Sequence, residues 1–126
     1  AKGIPLVYEM ARQRGENNYL IARKALKLYM REPHSIEVRS ITTDKKQVLY
    51  IDAADVEKMR GKRVLIIDDV ISTGESVFAV EKLVKESGGT VVGKMAILAE
   101  GDAVYRDDII YLEKLPLFNS DGSVKE

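Results

Sequence analysis

VLIIDDVISTGES, residues 64–76, is the stretch that decides the fold. Four apolar residues run directly into two acids, and five small or polar residues follow one turn later. A short unbroken apolar run reads as a strand covered on both faces, as inside a parallel sheet. From Glu75 the pattern becomes helical to Ser87, with Val77, Phe78, Val80, Leu83 and Val84 as the expected apolar face. Gly88 and Gly89 stop that helix. TVVGKMAIL, residues 90–98, reads as the next buried strand. Strand, helix and strand in this order form a crossover between parallel strands. The apolar strand closes at Ile67, so Asp68 and Asp69 stand at its carboxyl end, where open α/β sheets take ligands.

The remaining segments fit the same class. Residues 1–15 begin almost inside an amphipathic helix, with Leu6, Val7, Met10 and Ala11 at helical spacing and Gly15 as its stop. That abrupt start is expected of a fragment or a trimmed chain. NNYLIARK, residues 17–24, reads as a strand. SIEVRSITT (35–43) and QVLYIDA (47–53) flank Asp44, Lys45 and Lys46, which is a hairpin signal. AADVEKMRGK (53–62) is a polar helical turn leading to Gly61. DIIYL and LPLF supply a last strand or two, and residues 119–126 are expected to be a polar, frayed tail. The expected architecture is α/β, with a central, mostly parallel sheet flanked by helices and a β-hairpin excursion. Residues 1–118 form its one domain.

Composition narrows the function. The chain has 126 residues, 45% of them hydrophobic, enough for one real core. Twenty basic residues balance twenty acidic ones, against the surplus of a general nucleic-acid binder. There is no cysteine, which excludes disulfides and thiolate zinc sites. One histidine, His34, cannot make a zinc triad and reads as structural. No apolar run approaches the roughly 20 residues that span a bilayer. No targeting leader is visible. The expectation is a soluble, cytoplasmic domain with neither nucleic-acid nor membrane partners.

The loop after the acids feeds a helix N-terminus, whose free N–H groups and dipole suit an anion, above all a phosphate. Ser72, Thr73 and Ser76 add hydroxyls, and Gly74 lets the backbone come close. The two carboxylates repel a phosphate. They suit hydroxyls, or a hydrated divalent cation, a few ångströms away. Ribose 5-phosphate has both halves. Taken apart, Asp68-Asp69 is also explained by solvation of a strand end, and the loop by a helix capped through Thr73 or Ser72. A phospho-receiver domain also carries two acids, but on its first strand, with a phospho-accepting Asp ending a later one. Here the pair comes mid-chain and VVGKMAIL ends without Asp. No G-x-x-x-x-G-K-[ST] phosphate loop occurs.

VLIIDDVISTGES closely resembles the phosphoribosyl-pyrophosphate (PRPP) motif of type I phosphoribosyltransferases, nearest the adenine and xanthine branch. The resemblance runs to about Phe118. AKGIPLVYEMAR looks like the end of the pyrophosphate loop and its helix, YLIARK like the strand with a basic pair, and SITTDKKQVLYID like the flexible hairpin that closes over substrate. AILAEGDAVYRDDI stands where purine members hold the base. The resemblance implies nucleobase plus PRPP giving nucleoside monophosphate plus pyrophosphate, with Mg²⁺, in a homodimer. Asp68 and Asp69 would hold the ribose hydroxyls. Ser72, Thr73, Gly74, Glu75 and Ser76 would cradle the 5-phosphate. Lys2, Gly3, Arg23 and Lys24 would face pyrophosphate, and Leu98, Ala99 and Glu100 would border the base. Mg²⁺ would come with PRPP, meeting Asp68 or Asp69 through water.

Three departures accompany the resemblance. Nothing in these 126 residues corresponds to the core strand and the hood segment that precede the pyrophosphate loop in the family. Ser72 replaces the Asp that the hypoxanthine-guanine branch uses for the purine proton. Asp44 is the acid at the hairpin tip where adenine enzymes carry Glu, and it reads as a catalytic candidate or a turn former. Arg23-Lys24 is a phosphate contact or a solvated strand end. Glu100, Asp102 and Arg106 border the base or form a surface ion pair. The rival to an enzyme is a PRPP-binding regulator, or a trimmed scaffold, on the same fold.

Overall fold

The computed structural model describes residues 2–39 and 46–125. Its elements are α1 (Ile4–Gln13), β1 (Pro33–Arg39), β2 (Lys46–Asp52), α2 (Ala53–Met59), β3 (Arg63–Ile71), α3 (Glu75–Glu86), β4 (Thr90–Glu100), a 3-10 helix (Gly101–Tyr105) and β5 (Ile110–Leu115). The architecture is α/β, as expected. β3, β4 and β5 form a parallel sheet in that order, with Asp68 opposite Ala96 and Ile71 opposite Ala99. β1 and β2 pair antiparallel, from Pro33 opposite Asp52 to Arg39 opposite Lys46. The hairpin tip, with Asp44, lies outside the described residues.

α3 holds the two sheets together. Val77, Ala79, Leu83 and Val84 are its buried residues. Ala79, Leu83 and Val84 pack with Ile36, Leu49 and Ile51 of the hairpin and Met59 of α2. Val77 packs instead with Ile71, Ala96 and Ala99 of the parallel sheet, and with Ala103 and Ile109 beyond it. The expected apolar face needs one correction: Phe78 is 50% exposed. At about 100° per residue, Ala79, Leu83, Val80 and Val84 share one arc with Val77, and Phe78 falls outside it. The small Ala79 takes the inward position and lets the hairpin approach.

Two other expectations are corrected. Residues 17–24 do not form a strand. Their backbone pairs with the hairpin at one place only, where Arg23 N donates to Tyr50 O (3.0 Å) and Tyr50 N donates to Arg23 O (2.7 Å). The C-terminal segment is a closed turn, not a frayed tail. Asn119 N donates to Ser123 O at 2.8 Å and Lys125 N to Leu117 O at 2.7 Å, around a bridge between Phe118 and Val124.

An ion-pair chain pins α3 to the sheet from outside. Glu81 of α3 meets Lys94 of β4 at 2.8 Å, Lys94 meets Asp108 at 3.2 Å, and Asp108 takes both Nε (2.8 Å) and Nη2 (2.6 Å) of Arg106. The Arg106 guanidinium holds the Asp108 carboxyl well below its ordinary range, against a small opposing effect of burial and with further help from Lys94. Lys94 likewise depresses Glu81.

Two outcomes follow. Leu83→Ala should cost about 2–5 kcal/mol in denaturant unfolding, whereas Phe78→Ala should stay within about 0.5 kcal/mol. A large loss from Phe78→Ala would contradict its outward placement. For the ion pairs, both carboxyls have folded pKa values below their unfolded ones. Their contribution is present above the ordinary carboxylate pKa of about 4 and vanishes as pH falls through the depressed values. Asp108→Asn should therefore flatten the acid limb of stability against pH. At 43% side-chain exposure the effect at neutral pH should be under about 1 kcal/mol.

Candidate active site

β3 continues past Ile67 to Ile71, so Asp68 and Asp69 sit inside the final stretch of the strand, not beyond it. Successive strand residues face opposite sides of a sheet. The pair nevertheless stays linked, because Asp68 Oδ1 accepts from Asp69 N at 2.9 Å. Burial pushes the Asp68 carboxyl up, and its contact with the Asp69 carboxyl adds to that. Partial burial also pushes Asp69 upward, but the Asp68 contact, the Val70 amide and the charge of Lys2 outweigh it and hold Asp69 below the usual range. Asp69 is thus the stronger acid of the two.

Gly3 is the residue before α1, and α1 lies against β3. A side-chain carbon on Gly3 would stand 3.3 Å from Asp68 Cα and 3.4 Å from Ile67 O. Glycine permits this approach, which brings Lys2 and the start of α1 to the acidic pair. Lys2 and Gly3 thus join Asp68 and Asp69 at one place.

Ser72, Thr73 and Gly74 connect β3 to α3. Gly74 adopts φ 84°, the left-handed region that glycine enters without strain. This turns the chain sharply enough to start α3 three residues after the strand ends. The first turn closes with Phe78 N donating to Gly74 O at 2.9 Å. Among the described residues, the side-chain partner found for a loop amide is Thr73 Oγ1, which accepts from Glu75 N at 3.3 Å. Thr73 is thus a weak local cap. Ser72 instead donates through Oγ to Glu100 Oε1 at 3.0 Å, tying the loop to the end of β4. The register puts Leu98 and Ala99 opposite Val70 and Ile71. Leu98, Ala99 and Glu100 therefore flank the end of β3 and the loop.

The other basic candidates lie elsewhere. Arg23 places its guanidinium over the Tyr29 ring, 5.7 Å from the centroid. It lines a cleft of about 370 Å³ with Tyr19, Tyr29, Met30, Asp52 and Asp55. Lys24 is exposed. Among the described residues, neither forms a hydrogen bond or ion pair with Asp68 or Asp69. His34 is exposed on β1. Arg106 forms the ion pair with Asp108 but does more: a side-chain carbon on Gly74 would collide with Arg106 Nη1. The positions are 32 residues apart in sequence, and no local pattern joins them. The sequence signal was the basic residue after the β4 end; its placement needs the 3-10 helix.

The site thus offers carboxylate acceptors at one end and a turn of backbone donors at the other, on a rigid strand-to-helix junction. It can hold a ligand with hydroxyls beside a phosphate. Among the described residues, no group of three or more His, Asp or Glu is placed to hold a metal ion. No described helix is long and apolar enough to cross a membrane.

Comparison with known proteins agrees with this geometry. The family model for the phosphoribosyl transferase domain matches residues 1–121. The chain is 31% identical to a hypoxanthine/guanine phosphoribosyltransferase of Methanohalophilus mahii over 82% of its own length and 50% of the relative's. It is also 31% identical to an orotate phosphoribosyltransferase of Caldanaerobacter subterraneus, over 79% of its length and 41% of the relative's. It spans about half the length of the curated relatives it matches. The solved adenine phosphoribosyltransferase of Thermoanaerobacter pseudethanolicus superposes with a TM-score of 0.72 at 27% identity, covering 91% of this chain and 66% of that one. With the family model spanning nearly all of it, the chain belongs to the phosphoribosyl transferase domain family.

Proposed function

We propose that this chain carries the PRPP-binding half of a purine phosphoribosyltransferase, joining a purine base to ribose 5-phosphate with release of pyrophosphate. The observation that supports this most directly is the convergence at the end of β3. The acidic pair, the Lys2–Gly3 start of α1 and the turn before α3 lie together there.

In this reading Asp68 and Asp69 accept hydrogen bonds from the ribose hydroxyls. Ser72, Thr73, Gly74, Glu75 and Ser76 surround the 5-phosphate, through backbone donors and the hydroxyls of Thr73 and Ser76, while the Ser72 hydroxyl holds Glu100. Lys2 and Gly3 adjoin pyrophosphate, whereas Arg23 and Lys24 line or flank the separate cleft at Tyr29. Leu98, Ala99 and Glu100 border the base, and Asp44 is a further catalytic candidate. The C1–O bond to pyrophosphate breaks and takes its electron pair with the leaving group, while the base nitrogen forms the C1–N bond and gives up its proton to solvent. As the sugar gains positive character, the Asp69 charge beside it is stabilising. Lys2 acts on the opposite, departing charge.

Mg²⁺ fits this scheme as a companion of PRPP. Two carboxylates, one already accepting from a neighbouring amide, are too few for a protein-built magnesium cage, and diphosphate oxygens and waters supply the rest. When bound, the ion neutralises the departing pyrophosphate. A homodimer and a cytoplasmic setting belong to the same reading.

The test is steady-state nucleotide formation from PRPP with adenine, hypoxanthine, xanthine and orotate in turn. Turnover of a purine supports the proposal. Turnover of orotate alone overturns it, and saturable PRPP binding without turnover turns the reading to the regulator or scaffold. Asp68→Asn combined with Asp69→Asn should weaken PRPP at least about tenfold, because two charge-assisted hydrogen bonds are lost. Its thermal midpoint should barely move. Unchanged PRPP affinity would remove the ribose assignment.

A further inference from the structure

We propose that Arg106 is the cation of the 5-phosphate cradle, delivered to it by Asp108. The inference rests on the PRPP reading above and adds a residue from outside the motif. The cradle as read from sequence is short of positive charge. Ser72, Thr73, Gly74 and Ser76 are neutral, Glu75 is acidic, and Asp68 and Asp69 adjoin it. A phosphate carries about −1.5 to −2 charge near neutral pH. Backbone donors and a helix dipole offset part of that. A guanidinium supplies the rest in the geometry phosphate oxygens prefer.

Arg106 meets that need from an unexpected direction. It follows the 3-10 helix Gly101–Tyr105, and its Nη1 lies against Gly74, the residue that opens α3. Nε and Nη2 are both engaged by Asp108, at 2.8 Å and 2.6 Å. Asp108 is itself held by Lys94, and Lys94 by Glu81 on α3. One edge of the guanidinium is thus locked in a two-point fork. The remaining nitrogen, Nη1, makes no hydrogen bond among the described residues and is presented at the loop. A side chain kept only for its ion pair would not need to reach the one residue of the loop that lacks a Cβ. Gly74 therefore meets two requirements: its φ of 84°, and room for this nitrogen.

The experiment is a calorimetric and ³¹P NMR titration of the full chain with ribose 5-phosphate, comparing wild type, Arg106→Gln, Arg106→Lys and Asp108→Asn. Arg106→Gln should weaken binding by about tenfold or more, with Arg106→Lys between it and wild type. The ³¹P signal of bound ligand should titrate below the free ligand's second pKa of about 6 in wild type, and move back towards it in Arg106→Gln. Asp108→Asn keeps the cation but frees the fork, so a smaller loss is expected. Arg106→Gln binding within about twofold of wild type overturns the proposal. So does an equal loss in Asp108→Asn with an unshifted ³¹P titration, which marks Arg106 as a brace for the loop. If Arg106→Gln does not fold, Arg106→Lys and Asp108→Asn carry the same decision through the ³¹P readout. Wild type without saturable binding of ribose 5-phosphate fails the PRPP reading itself, and this proposal with it.

Discussion

Burial of α3 on two sides is the constraint from which the rest of the structure follows. A twelve-residue helix is marginal alone in water, so its stability comes from packing. Ala79, Leu83 and Val84 supply that packing towards the hairpin, and Val77 supplies it towards the parallel sheet. With both flanks fixed, the helix cannot slide or roll without opening one cluster. Its N-terminus is therefore fixed against the end of β3, and Gly74 makes the sharp turn that the fixed ends demand. The donor loop is rigid because both elements it joins are packed, not because the loop has strong bonds of its own.

The charge layout then has a simple logic. Acids stand where a neutral polyol would lie, and a donor turn stands where an anion would lie. Burial and the neighbouring carboxyl raise Asp68, while Asp69 is held below its ordinary range. Lys2 stabilises the latter from the start of α1.

Much of this was legible in the sequence because local signals agreed. An unbroken apolar run, paired acids and a glycine turn occupy thirteen consecutive residues, and a helical period follows to a clean stop at Gly88. Where the reading failed, tertiary packing decided the matter. Residues 17–24 have strand-like composition, yet among the described residues Arg23 alone of them pairs with β2, at Tyr50. Phe78 has the larger apolar side chain, but its position on the helix falls outside the arc that faces the hairpin, and Ala79 takes the inward place. The terminal turn escaped notice because its closing bonds join residues 117 and 125 across a polar stretch. The encounter of Arg106 with Gly74 has no local signature at all. It depends on where the 3-10 helix turns the chain after β4.

The β3–α3–β4 unit occupies one continuous segment, residues 63–100, and contains the cradle's backbone. Its contacts close over short loops, whereas the hairpin and α1 reach it from well upstream. Loop-closure entropy grows with the length of chain to be closed, so local units have the kinetic advantage. The crossover and the hairpin are each local in sequence, and the longer loop closes only when the hairpin docks on α3. The turn between β3 and α3 thus needs two closures, one within residues 63–100 and one reaching back to the hairpin, so loosening the hairpin from α3 would loosen that turn as well.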